Sequence, residues 1–196
     1  ANDFANGGLL PNSTVLQTNT WYYVFAIYSS ASNLVSFYAD TNFSSPTLPT
    51  SPNVYDKKQY RGAFYVDGSG NIVQFFLNGQ DYFFGDPQTD LSNEVIGTTR
   101  VEKSCTTPFH EVLTYATAFN PTQFGGSEVE FYRKNANSFM SSYRTGTGSS
   151  GISAQGAFVQ FLAIDGKFDI RSTSAGTSVT LRTFGFKDFD IKIWFT

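Results

Sequence analysis

Turn-forming residues punctuate this 196-residue sequence at intervals of roughly 8–12 positions, and short aromatic runs fill the gaps. No stretch sustains an apolar period of about 3.6 residues, so strands rather than helices are the building unit. The clearest instance runs from Tyr60 to Phe84. Two apolar runs flank Asp67-Gly68-Ser69-Gly70-Asn71, and Gly and Asn tolerate the positive φ that a tight reversal needs. Tyr60, Gly62, Phe64 and Val66 share one face of the first arm. In the second, Ile72, Gln74, Phe76 and Asn78 oppose Val73, Phe75 and Leu77. Phe75, Phe76 and Leu77 make both faces apolar there, which predicts cover on each side.

The remaining elements read in the same way. Trp21 to Tyr28 predicts a strand, Ser29 to Asn33 a turn, and Leu34 to Ala39 the returning arm. Asp40 to Asp56 carries Pro46, Pro49 and Pro52. Proline removes a ladder donor and fixes φ, so this is expected to be a long surface loop. Gly85 to Asp90 reads as another turn. Glu94 to Lys103, Glu111 to Phe119, Glu128 to Arg133 and Ser138 to Tyr143 read as strands. Val112, Tyr115 and Phe119 would share a helix face, but the Thr and Tyr content of that segment favours strand. Asn120 to Ser127 reads as a loop and Thr145 to Gly151 as the most flexible segment. Ala157 to Ile164 and Lys167 to Arg171 predict a hairpin over Asp165-Gly166. Thr177 to Phe184 and Asp188 to Phe195 close the chain. The expected fold is an all-β, antiparallel β-sandwich, jelly-roll-like, with little or no helix. An extended entry segment occupies 1–19 and a single domain 20–196, with any sub-boundary near 86–93 or 121–127.

Composition narrows the function classes. The 21 Phe and 11 Tyr against a single Met suit half-buried pleated surfaces. With 15% charged residues and a net charge of −3, no basic stripe marks a nucleic-acid partner. Lys57-Lys58 and Arg133-Lys134 are the adjacent basic pairs and read as solvated turns. Cys105 stands alone, which excludes an intrachain disulfide and a Cys-based zinc site. No apolar run approaches the roughly 20 residues of a membrane span, so membrane insertion is not expected. No basic segment precedes an apolar one as in a signal peptide, and the opening at Ala1 without Met suggests processing or a fragment. Asn12-Ser13-Thr14 and Asn42-Phe43-Ser44 match the glycosylation acceptor pattern, which chance readily supplies in a chain of this composition.

The sequence offers little for catalysis. A Ser-His-Asp site would have to use His110, the only histidine, and no G-x-S-x-G elbow supplies a nucleophile. Gly146-x-Gly148-x-x-Gly151 matches a dinucleotide fingerprint as a string, but a strand rather than a helix follows it. Asp67-x-Ser69-x-Asn71 resembles half a calcium loop, yet Asn78 stands where a bidentate Glu is required. Asp86 and Asp90 fit a turn as well as a cation. Asp188 with Asp190, and Glu128 with Glu130, would share strand faces as a glycosidase pair does, but both pairs alternate with core-like residues and read as solvated faces. No catalytic residue, metal or cofactor is therefore expected. Binding remains, through aromatic rings at turns and strand ends that stack on sugars or enter protein interfaces. Phe43, Tyr55, Tyr82, Tyr132 and Tyr143 are the candidates, with packing as the alternative for each.

Three stretches carry a resemblance. Asn19-Thr20-Trp21-Tyr22-Tyr23-Val24-Phe25-Ala26-Ile27 is the first. Phe43-Ser44-Ser45-Pro46-Thr47-Leu48-Pro49 is the second, and Tyr60-Arg61-Gly62-Ala63-Phe64 through Asp67-Gly68-Ser69-Gly70-Asn71-Ile72 the third. In this order they resemble a C-terminal domain of bacteriophage tail proteins and tail fibres. Asp165-Gly166-Lys167-Phe168 and Leu181-x-Thr183-x-Gly185-Phe186-x-Asp188 resemble its closing pattern. The loop after Pro49 departs from it, with Asn53-Val54-Tyr55 in place of the usual close, and Gln59-Tyr60 precede Arg61 where a second basic residue is usual. The resemblance implies a non-enzymatic virion module, assembled in the bacterial cytoplasm, either structural or binding a host surface glycan or protein. It further implies a homotrimer of identical chains in contact with other tail proteins. It carries no catalytic residues. The alternatives are a tailspike-type glycan hydrolase, which usually needs a repeat solenoid that is not seen here, and a carbohydrate-binding module of a bacterial enzyme.

Overall fold

The computed structural model describes residues 15–51, 53–120, 127–144 and 155–191. Across them run twelve strands and no helix, and every pairing between strands is antiparallel. Among the described residues, no helix is long and apolar enough to cross a membrane. The all-β expectation holds. The entry segment up to residue 14, the stretch 145–151, most of the loop at 120–127 and the chain beyond Ile191 lie outside the described residues.

The chain divides into two compact units, residues 1–73 with 189–196, and residues 74–188. The break follows Val73. Residues 86–93 sit inside one continuous strand, and 121–126 lie outside the described residues.

The first unit is built on β1 (Thr20–Ser29), flanked by β2 (Leu34–Asp40) and β3 (Lys57–Val66). Trp21, Tyr23, Phe25 and Ile27 alternate along β1 and are buried on one face. On the other, Tyr22 packs with Ala39 and Val66, and its ring stacks on Phe64 at 5.3 Å. The Asp67–Asn71 turn forms as expected: the Asp67 carboxylate accepts from the Ser69 and Asn71 amides at 2.8 and 2.9 Å. The arm after it does not return along β3. One bridge, Val66 to Ile72, forms before the chain leaves for the second unit.

The second unit is a sandwich. One sheet, in the order β10-β7-β12-β5-β4, contains β10 (Gln155–Ala163), β7 (Val112–Asn120), β12 (Thr177–Asp188), β5 (Asp81–Ile96) and β4 (Phe75–Asn78). The other, in the order β6-β11-β8-β9, contains β6 (Val101–Ser104), β11 (Lys167–Ser172), β8 (Glu128–Arg133) and β9 (Phe139–Arg144). Phe161 of the first sheet meets Phe131 and Phe168 of the second at 5.4 and 4.4 Å, and all three are fully buried. These rings are the cement between the sheets. The Asp165-Gly166 turn joins the sheets as well. Its residues take φ of 55° and 68°, and Ile164 and Lys167 exchange two backbone hydrogen bonds of 2.9 Å. The arms then part, β10 into the five-stranded sheet and β11 into the four-stranded one.

Four local expectations are corrected. Gly85 to Asp90 is not a turn but part of β5. The register against β12 moves from Phe83–Gly185 to Gln88–Thr183, so a bulge takes up the extra residues, and Pro87 sits there without breaking a ladder bond. Glu94 to Lys103 is not one strand, because β5 ends at Ile96 and β6 starts at Val101 in the opposite sheet. Phe76 and Leu77, expected to be covered, are 61% and 52% exposed, since β4 is an edge strand. Asp188 ends β12 rather than opening a new strand, and Phe189 and Asp190 form a turn.

Candidate aromatic face

The outward side of the five-stranded sheet carries a row of rings contributed by all five strands. Phe158 comes from β10, Tyr115 from β7, Phe184 from β12, Phe83 from β5 and Phe76 from β4. Strand alternation places them there, because Val159 and Phe161 of β10, Ala116 of β7 and Tyr82 and Phe84 of β5 all turn inward and are buried. Tyr115 lies 6.4 Å from Phe158, 6.3 Å from Phe184 and 5.9 Å from Phe83, each at an interplanar angle below 30°. Phe158 and Phe184 are 5.4 Å apart. Phe76 pairs across the ladder with Phe83 and ends the row.

Two features fix this row. Gly185 is the partner of both Phe83 and Tyr115 in the ladders. Without a side chain between them, those two rings meet over the strand, an aromatic cover of a glycine. The Tyr115 hydroxyl donates to Asp81 at 2.7 Å, and burial together with that carboxylate pushes its pKa well above the ordinary value. The centre of the row is therefore pinned, while its ends, Phe158 and Phe76, are 58% and 61% exposed. A continuous apolar strip ending in open rings is what a contact surface requires.

None of the five rings predicted as ligand platforms belongs to this strip. Phe43 is half-buried, with Tyr23 at 5.3 Å and Tyr60 at 5.0 Å. Tyr55 is buried. Tyr82 is buried against Phe186 at 4.7 Å, with the rings nearly parallel. Tyr132 is buried under two guanidinium groups, those of Arg100 and Arg171, and donates its hydroxyl to Glu130. Tyr143 is buried 6.3 Å from Phe131. These rings are packing residues, because an apolar ring beside a turn gains more by folding inward than by facing water. A sequence signal for this strip exists in Phe158-Val159-Gln160-Phe161 and in Phe75-Phe76-Leu77, where large apolar residues fall on both sides of a strand.

Several titratable groups are held in internal contacts. His110 Nε2 lies 3.0 Å from Asp188 Oδ1 in a buried pair, so Asp188 does not face solvent beside Asp190. Glu130 is likewise not solvated: Arg171 and Tyr132 donate to it, and that guanidinium, foremost, holds its carboxyl below the usual range. Asp90 accepts from Thr183 Oγ1 at 2.5 Å and from the amide and hydroxyl of Thr106 at 2.8 and 2.7 Å, and burial raises its pKa. The Cys105 thiol lies 3.4 Å from Thr107 Oγ1 and 3.6 Å from the Gly166 carbonyl. Cys105 is half-buried as a residue, but desolvation of its thiol, with Asp90 nearby, pushes its pKa far above the ordinary value. The native protein is accordingly expected to react more slowly with a thiol reagent at pH 8 than the protein unfolded in denaturant, since only the thiolate attacks. Equal labelling rates in the two states would contradict this shift.

In comparisons with known proteins, no family model, no curated protein and no solved structure matches the chain.

Proposed function

We propose that the protein is a non-enzymatic module of a bacteriophage tail or tail fibre that works by surface contact, and that its aromatic face joins identical chains. The observation that carries this reading is the strip from Phe158 to Phe76, open at both ends. Chains of one kind, related by rotation, can place the same strip against each other or against a neighbour, and apolar burial then adds to the stability of each copy. The tail setting is supported by the resemblance of the Asn19–Ile27, Phe43–Pro49 and Tyr60–Ile72 stretches. The positions of the closing pattern have structural duties that fit a module of this type: Thr183 serves Asp90, Gly185 admits the rings, and Asp188 holds His110.

Light scattering after size exclusion tests the reading. The expected mass is about three times the 21.7 kDa of one chain, in line with a homotrimer. Serine at both Phe158 and Phe76 is expected to shift the mass towards one chain while leaving the β-sheet circular dichroism unchanged. A monomeric parent protein would sink the assembly reading. The module's other contacts, with further tail proteins and with a host surface glycan or protein, are proposed on the same resemblance.

A further inference from the structure

The first unit holds a second surface of different character. Among residues 1–73 the basic side chains are Lys57, Lys58 and Arg61, three within five positions, in a chain whose net charge is −3. Lys57 and Arg61 mark a shallow depression of about 470 Å³ on the three-stranded sheet, a volume in the range of small-ligand sites. Ala26, Tyr28 and Val35 supply an apolar floor and side, and Val35 is 68% exposed. Lys57, Gln59 and Arg61 form the opposing wall along β3. Lys58 turns to the other face, where its ammonium lies over the Phe25 ring.

That wall consists of donors. Arg61 donates to Gln59 Oε1 at 2.9 Å, and the Gln59 NH2 remains a donor. Guanidinium carries five N–H donors in a fork, of which this bond takes one. Lys57 lies 5.5 Å over the Tyr28 ring, and among the described residues neither Lys57 nor Arg61 ends in an ion pair. The nearby carboxylate, Asp56, is committed to the amide and hydroxyl of Ser30 at 2.8 and 2.6 Å, which chiefly lowers its pKa; Lys57 adds a lesser pull. Lys57 and Arg61 stand four residues apart along β3, with the register shift at Arg61, so the two charges are spread along the groove while the Gln59 amide stays with Arg61. Such a row suits an extended chain of carboxylates and hydroxyls with apolar ring faces better than a compact anion.

We propose that this depression binds an acidic saccharide, a hexuronate chain whose carboxylates meet Lys57 and Arg61 and whose ring faces rest on Ala26 and Val35. The inference takes its setting from the receptor-binding half of the tail reading and is independent of the aromatic face. Calorimetric titration of the intact protein with tri-galacturonate and an alginate trimer tests it, with a neutral maltotriose and inorganic phosphate as further arms. Binding of an acidic trimer but not of maltotriose is expected, weakening as salt is raised. Arg61→Gln is expected to weaken it at least about tenfold, and Lys57→Gln with Arg61→Gln to abolish it. The Phe158→Ser variant is expected to bind as the parent does, which separates this site from the assembly face. No binding of either acidic trimer up to about 10 mM, equal binding by the double variant, or phosphate binding as tightly as the trimers would overturn the proposal. β3 is an edge strand, and charges there also deter edge-to-edge pairing. If neutralising Lys57 and Arg61 only promotes aggregation, that role replaces the one proposed.

Discussion

Phe161→Ala is expected to destabilise the protein by about 3–5 kcal/mol. Phe161 is fully buried, and its ring touches both Phe131 and Phe168 across the sandwich. Removing it leaves a void that two opposing sheets cannot close without moving apart, so the lost transfer energy and the cavity add. Domains of ordinary stability have only about 5–15 kcal/mol in total, so the variant is expected near the limit of folding. Denaturant titration followed by tyrosine fluorescence measures this, with a lowered midpoint at an unchanged slope. A loss below about 1 kcal/mol would mean that the two sheets do not share this interior.

Gly185→Ala is the second large effect, and it acts through the backbone. A methyl group at this position would sit 2.2 Å from the Tyr82 carbonyl oxygen and 3.2 Å from the Phe83 Cα. Neither atom belongs to a side chain that can swing away. The strand must shift, at a cost of about 3 kcal/mol, or roughly 6–12 °C in melting temperature for a chain of this size. The same shift separates Phe83 from Tyr115 and disrupts the aromatic strip. Gly97→Ala is the control. Nothing lies within 4 Å of a methyl placed there, so its effect is expected within about 0.5 kcal/mol. Similar melting temperatures for the two variants would show that the close approach at Gly185 is not real.

Much of the fold was legible because local signals agreed. Trp21 to Tyr28 has strong strand propensity and a plain turn after it, and β1 with β2 formed as expected. Asp165-Gly166 predicted a tight reversal and made one. Misreadings came where tertiary context outweighed the local rule. Gly85 to Asp90 reads as a turn, yet a bulge in β5 takes up these residues, Pro87 among them. Phe75 to Leu77 looked like a doubly covered strand, and became an edge. The aromatic strip left only a local trace, the two-sided apolar runs at Phe75–Leu77 and Phe158–Phe161, because its five rings lie far apart in the chain and meet only through ladder register. Tyr82, Tyr132 and Tyr143 were singled out for standing near turns, but position along a chain does not say which side of a sheet a ring takes; the pairing partner decides that.

The interruption of the first unit by residues 74–188 bears on how the molecule is made. As the chain leaves the ribosome, β1 to β3 emerge first, the whole sandwich follows, and only then residues 189–196, which belong with the opening segment. The sandwich has all its own residues as soon as Asp188 is out. A nascent chain arrested there carries all the residues of the second unit but not all of those of the first, so of the two units the one begun first is completed last.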